Sequence, residues 1–256
     1  MTRDQWLEAH PYLRPIAELA AEVERAAASL EVPGAPIPDW DNYRTDFLAG
    51  VPLLSSEVAV VDLEPASRMA AALIERLSSA EMEPGVFRPR DWPSPGLSRY
   101  LAWTATKRYL RPVVQAFDGW RDEDRWLRPN CPTCGSLPAM AQLVGADPGR
   151  KRLLSCGCCG TRWQFKRTSC PFCDTGSARL SSLAMDGESG LRIDHCESCR
   201  GYLKTYDGEG AETLLLADWT SLHLDLIAHD RGLKRLAASL YDFESVRPSI
   251  ASSSGS

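Results

Sequence analysis

Four pairs of cysteines, each with two residues between the partners, constrain this chain more than any other feature. They are Cys131/Cys134, Cys156/Cys159, Cys170/Cys173 and Cys196/Cys199. The spacing has a mechanical reason. Two intervening residues form a tight turn that can point both sulfurs at one ion. Two such turns close a tetrahedron with metal–sulfur distances of about 2.3 Å. Eight thiolates therefore suit two four-sulfur sites. The gap between the first two turns is 21 residues and between the last two 22. Near-equal gaps read as a duplicated module, with the first two turns serving one site and the last two the other.

Each gap has room for a short hairpin. In the first, Met140 to Val144 and Arg152 to Ser155 flank a turn at Asp147-Pro148-Gly149. In the second, Leu180 to Met185 and Leu191 to His195 flank a turn from Asp186 to Gly190. Pro132 and Pro171 preset the backbone of their turns. Gly135, Gly160 and Gly201 stand at or just after the second cysteine, where a left-handed residue is expected. This is the geometry of a zinc ribbon or a rubredoxin.

All nine cysteines lie in a window of 69 residues, and the first 130 residues have none. A secreted disulfide scaffold spreads an even number through a small domain. The start of the chain leads into no apolar stretch, so a cleaved secretory signal is not expected, and the expected compartment is the cytosol. Clustered thiols there point to metal. Cys158 is the ninth and reads as a small buried apolar residue, the alternatives being an exchanging ligand or a reactive thiol. His195 adjoins Cys196, but the four-cysteine set is complete without it. His223 and His229 lack a second ligand of matching type and read as packing or surface residues.

The rest of the chain reads as helix. Ile16, Leu19, Ala20, Val23, Ala27 and Leu30 recur at helical spacing, and Val32 to Pro38 breaks that run. A second helix is expected over Pro65 to Ser79. A third is expected from about Pro95 to Phe117, with Tyr100, Trp103, Leu110, Val114 and Phe117 as its stripe and a kink at Pro112. Residues 84–96 read as a proline-rich loop. After the last cysteine, Asp218 is expected to cap a helix carrying Leu222, Leu226, Leu233, Leu236 and Leu240, interrupted by a bend at Gly232. The tail 250–256 is of low complexity. No apolar run is long enough for a membrane helix, so no membrane insertion is expected.

Charge separates three segments. Residues 1–128 carry a net −5, residues 129–206 a net +4 and residues 207–256 a net −4. Arg162, Lys166 and Arg167 flank the first site, with Trp163 and Phe165 among them. Basic residues interleaved with aromatics suit single-stranded nucleic acid. They equally suit a solvated hairpin face over core aromatics, or a patch for an acidic protein. The chain contains no Gly-x-Ser-x-Gly, phosphate-binding glycine loop or His-Glu-x-x-His. Four thiolates per ion leave no open position for water, so no enzymatic activity is expected.

Several runs together carry a family resemblance: Cys131-Pro132-Thr133-Cys134-Gly135, Cys156-Gly157-Cys158-Cys159-Gly160-Thr161-Arg162-Trp163, Cys170-Pro171-Phe172-Cys173, Cys196 to Tyr206, and Asp218 to Leu226. From residue 129 to about 236 the chain resembles the FdhE-type formate dehydrogenase accessory proteins. The resemblance implies an α+β chain. Its parts would be an N-terminal all-helical domain (1–128), two tandem rubredoxin-like or zinc-ribbon-like four-cysteine modules (129–167 and 168–206), and a C-terminal helix with a tail (207–256). It implies a cytoplasmic factor that binds the immature catalytic subunit of a respiratory formate dehydrogenase. It implies two metal ions, iron before zinc, on Cys131, Cys134, Cys156, Cys159, Cys170, Cys173, Cys196 and Cys199. Cys158 departs from the family pattern. For an assembly factor, Arg162, Lys166 and Arg167 are the expected partner-binding residues. The competing expectation is a zinc-ribbon protein that binds nucleic acid.

Overall fold

A computed structural model describes residues 1–79, 95–122, 124–146, 148–185, 187–188 and 190–238. The loop expected at 84–96 lies almost wholly outside them, as do Leu240, the tail, and Asp147, Asp186 and Ser189 of the expected turns.

The N-terminal half is helical, as its periodicity requires. Helix α1 (Arg3–Ala9) starts with a capping box, in which the Thr2 hydroxyl accepts from the Gln5 N–H and the Gln5 side chain accepts from the Thr2 N–H. Helix α2 (Arg14–Ala28) carries Pro15 in its first turn and buries Ala17, Ala20, Val23 and Ala27. Helix α3 (Trp40–Ala49) is capped by Asp39 and closed by Gly50. Helix α4 spans Glu64–Ser79 and α5 spans Pro95–Trp120. Helices α2, α4 and α5 share a core around Val23, Met69, Leu73, Leu101 and Ala105.

Helix α5 buries Leu101, Ala105, Tyr109, Leu110, Val113 and Phe117. That stripe is rotated from the expected one: Tyr100, Trp103 and Val114 are only half-buried. The helix is continuous through Pro112, whose ring lies where a Cβ on Gly34 would stand.

The cysteine-bearing half builds strands β1 (Met140–Val144), β2 (Lys151–Ser155), β3 (Arg162–Phe165), β4 (Leu180–Ala184), β5 (Leu191–Cys196) and β6 (Tyr202–Asp207). Each module is an antiparallel three-stranded meander. Met140 pairs with Ser155 in the first hairpin, and Leu180 with Cys196 in the second. The two meanders fuse. Strand β1 pairs in parallel with β6, Met140 against Lys204, giving one six-stranded sheet of order β3-β2-β1-β6-β5-β4. Strand β6 has its first five residues buried, as a central strand covered on both faces does.

Two cores tie the sheet to the helices. Rings of Trp40, Tyr43, Phe47, Phe117, Trp120 and Trp126 pack with centroids 5.5–6.3 Å apart. Their cluster continues into the first module through Trp163, Phe165 and the cysteines. Trp6, Leu7 and Leu13 pack with Leu191, Ile193, Tyr202 and Tyr206 of the second module. Helix α6 (Glu212–Leu215) and helix α7 (Leu222–Asp230) join this second core through Leu215, Leu224 and Ala228.

The expected C-terminal helix is shorter than its leucine spacing suggests. It stops at Asp230, and Gly232 follows with φ +68°. The chain then runs extended beside the last cysteine turn. There Tyr202 donates to the Lys234 carbonyl and Lys234 to the Arg200 carbonyl. Leu233 is buried off the helix, and Leu236 packs on Gly201. Asp218 does not cap. It sits in a 3-10 turn, and its carboxylate meets Lys204 and Arg235 instead. Two buried cations draw a carboxylate more strongly than the neutral N–H groups of a helix start do.

Candidate metal centres

The four cysteine turns share one backbone pattern. In each, the N–H four residues after the first cysteine donates to that cysteine's carbonyl. The cysteine's own N–H donates to the carbonyl five residues on. The partners are Gly135 and Ser136, Gly160 and Thr161, Asp174 and Thr175, Arg200 and Gly201. The residue just past the second cysteine is left-handed every time: Gly135 at φ +78°, Gly160 at +79°, Asp174 at +56° and Arg200 at +62°. Gly201 was expected in that role and does not fill it. It is glycine because Leu236, Phe172 and the Cys199 sulfur crowd the place of its Cβ.

These turns gather the sulfurs into two groups of four, Cys131/Cys134/Cys156/Cys159 and Cys170/Cys173/Cys196/Cys199. Within each group the sulfurs lie within 4.8 Å of one another. The Cys131–Cys159 and Cys134–Cys156 separations are 3.5 and 3.4 Å. Those of Cys170–Cys199 and Cys173–Cys196 are both 3.7 Å. A disulfide would need about 2.05 Å. A tetrahedron with metal–sulfur bonds of about 2.3 Å has sulfurs about 3.8 Å apart. The separations fit the tetrahedron and exclude the disulfide.

Electrostatics point the same way. Four sulfurs this close cannot all be thiolates unless a cation lies among them. In the first group, burial pushes the Cys131 thiol well up. Hydrogen bonds with Cys131 and its neighbours do the same to Cys159. Hydrogen bonds from the surrounding sulfurs, Cys131 first, hold Cys134 and Cys156 down. In the second group, burial pushes Cys170 up to about 12 and also raises Cys199. The Thr175 hydroxyl and N–H hold Cys173 down to about 6. The two groups could therefore hold two metal ions, each on four sulfurs.

Their surroundings differ. The first group is encased by the N-terminal half. Leu53 and Leu54 donate N–H bonds of 2.9 and 2.8 Å to the Pro132 and Thr133 carbonyls. Pro52 lies against Gly135, and Trp103 of α5 lies against Gly157. The Thr133 and Thr161 hydroxyls, 2.8 Å apart and fully buried, link the two turns. In the second group Cys173 is exposed and Cys199 half-buried.

Cys158 stays outside the group of four. It is half-buried, and its thiol is pushed up by a hydrogen bond with Cys134 and then by burial. His195 is also outside. It lines a groove of about 150 Å³ with Arg152, Arg167, Ser181 and Asp194. Of the three basic residues, Lys166 is half exposed and pairs with Asp174 at 2.7 Å, and exposed Arg167 donates to the Arg150 carbonyl at 3.3 Å. Arg162 is half-buried, and its guanidinium turns to Gln142. Trp163 and Phe165 are 1% and 3% exposed, so neither can stack on a base. His229 is exposed, as expected, but His223 is not a lone packing residue: it meets Glu188 and His10. Neither partner had a sequence signal, since His10 and Glu188 stand 178 residues apart.

No family model matches the chain. Curated relatives do. An FdhE homologue of Aquifex aeolicus is 33% identical over 132 residues, covering 48% of this chain and 46% of the relative. One of Stutzerimonas stutzeri is 32% identical over 154 residues, covering 57% and 46%. One of Pseudomonas aeruginosa is 36% identical over 116 residues, covering 41% and 37%. The crystal structure of the FdhE protein from Pseudomonas aeruginosa superposes with a TM-score of 0.58. It is 23% identical and covers 94% of this chain and 96% of that one. The chain resembles FdhE proteins in sequence over about half its length and shares their fold. The sequence matches span less than half the length of these relatives. The likeness of fold to FdhE covers nearly the whole chain, helices included.

Proposed function

We propose that this protein is an accessory factor for a formate dehydrogenase, acting in the cytoplasm on the enzyme's immature catalytic subunit. The observation that carries the reading is the pair of four-sulfur groups set in an FdhE-type fold, one encased and one at the surface. The eight cysteines are the ligands. An iron ion on four thiolates would supply a rigid cross-link and a one-electron couple, and iron is the metal this reading favours over zinc. The chain's own part is to hold the sulfurs in place through the repeated turn hydrogen bonds and to present a surface. Lys166 and Arg167, beside the exposed second group, are the centre of that surface, with Arg162 at its inner margin. The protein is read as a binder and not as an enzyme.

Affinity capture from anaerobically grown native cells, with and without nuclease, tests this. A formate dehydrogenase catalytic subunit that survives nuclease is the expected companion. Companions released by nuclease alone would sink the reading and favour a zinc-ribbon nucleic-acid binder. Lys166→Glu with Arg167→Glu should weaken capture and leave metal content unchanged. Arg162 is kept native in that variant, because reversing it would strand Gln142 inside the protein.

A further inference from the structure

A second kind of donor cluster lies on the far side of the second module. His10 follows α1, Glu188 lies in the connection between β4 and β5, and His223 is the second residue of α7. One donor atom from each lies within 4.8 Å of the others. The side chains are 7%, 8% and 14% exposed. The His10 and His223 rings stack at 5.3 Å, and the Tyr12 ring meets both edge-on.

The geometry has room for a positive charge, a proton or a metal ion, between the imidazoles and the carboxylate. His10 Nδ1 lies 3.0 Å from the Trp6 carbonyl oxygen, which can only accept, so that nitrogen carries the proton. A neutral His10 then aims the lone pair of Nε2 at Glu188 Oε1, 2.9 Å away. His223 Nε2 stands 2.6 Å from the same oxygen. Two imidazole nitrogens and a carboxylate oxygen converge, and a cation between them relieves the repulsion. The outward atoms are orphaned as well. Glu188 Oε2 and His223 Nδ1 are buried with no hydrogen-bond partner.

We propose that His10, Glu188 and His223 form a third metal site, for a divalent ion of the zinc class. Two imidazoles and a carboxylate are donors that zinc accepts at about 2.0–2.2 Å, with a fourth position for water. The Trp6 carbonyl fixes the His10 tautomer, as an outer partner does for metal-bound imidazoles. Nitrogen and oxygen donors set this site apart from the two thiolate groups. A bound ion would tie the N-terminal segment, the second module and α7 together.

Cadmium-113 NMR on the cadmium-loaded protein tests it without any variant. Sulfur-bound cadmium resonates far downfield of cadmium on nitrogen and oxygen. The expected spectrum has two sulfur-type signals and one nitrogen/oxygen-type signal. Two sulfur-type signals alone would overturn the site and leave the cluster to protons. His223→Asn and Glu188→Gln should each lose the third signal and keep the other two, which also shows that they fold. A third signal that persists in both variants would equally overturn the assignment. On native mass spectrometry with zinc in excess, wild type should hold three equivalents and either variant two.

Discussion

At the scale of single residues, the position after the second cysteine separates two demands that look alike. Gly135 and Gly160 satisfy a left-handed backbone, which Asp174 and Arg200 also tolerate. Gly201 instead satisfies a close approach: a Cβ there would stand 2.6 Å from Leu236 Cδ1 and 2.9 Å from Phe172 Cδ2. Gly201→Ala must shift the exposed Leu236 tip and the Phe172 ring, and should cost about 1 kcal/mol, the low end of overpacking. Gly176→Ala, where nothing lies within 4 Å and φ is negative, should change stability by less than about 0.5 kcal/mol. Urea midpoints of the two variants check this. Equal midpoints would mean that the C-terminal segment does not press on the turn. The cysteine spacing told the two roles apart nowhere, since both place a glycine near a sulfur.

At the scale of elements, β6 and α7 are joined by charges that hydropathy gives no reason to expect. Lys204 is 1% exposed on a central strand, with its ammonium 2.6 Å from both Asp218 and Asp225. Arg235 bonds the same two carboxylates at 2.8 and 2.9 Å, and the Tyr202 hydroxyl donates to Asp225 at 2.6 Å. Burial acts to raise the Asp218 carboxyl, but Arg235 and Lys204 prevail and hold it far below the ordinary range. Its folded pKa is thus lower than its unfolded one. The stabilisation is present above the ordinary aspartate value of about 3.9 and is lost as pH falls through the folded value. Lys204→Met leaves two carboxylates facing one guanidinium and should cost about 3–5 kcal/mol near neutral pH. The deficit should shrink toward pH 3, where the spare carboxylate takes a proton. Denaturation curves across that range decide it, and a pH-independent deficit would mean that only packing was lost. This network also explains where α7 ends. Leucine spacing extends the expected helix beyond a bend at Gly232 to Leu233 and Leu236. Arg235 has to turn back to Asp218, and Lys234 has to lie along Gly201, so the chain leaves the helix at Gly232. By contrast, both hairpins and the grouping of the sulfurs were legible, because turn spacing and strand length are local properties. The parallel seam between β1 and β6 was not, because nothing in either strand names its distant neighbour.

At the scale of the whole molecule, the two four-cysteine groups are alike in their turns and unlike in their surroundings. The first is gripped by backbone bonds from Leu53 and Leu54 and covered by α5, with three of its cysteines buried and Cys134 half-buried, so the N-terminal half shields it from solvent. The second presents Cys173 to solvent, with its thiol held down to about 6 by Thr175. Access to a buried group follows the free energy of the local opening that exposes it, and each 1.4 kcal/mol of that opening is about tenfold in population. A metal-loaded protein challenged with a chelator should therefore release its metal from the cysteines in two phases, roughly tenfold or more apart in rate. Cys173→Ser, which removes the exposed ligand, should abolish the fast phase and spare the slow one. Cys134→Ser should do the reverse and also lower the melting temperature, because the first group lies within the core that joins the helices to the sheet. Stopped-flow absorbance with a coloured chelator reads both rates. A single phase, or a fast phase that survives Cys173→Ser, would mean that the N-terminal half opens as readily as the exposed turn. The encased group would then be as exchangeable as the other, and the division between a buried anchor and an accessible site would be lost.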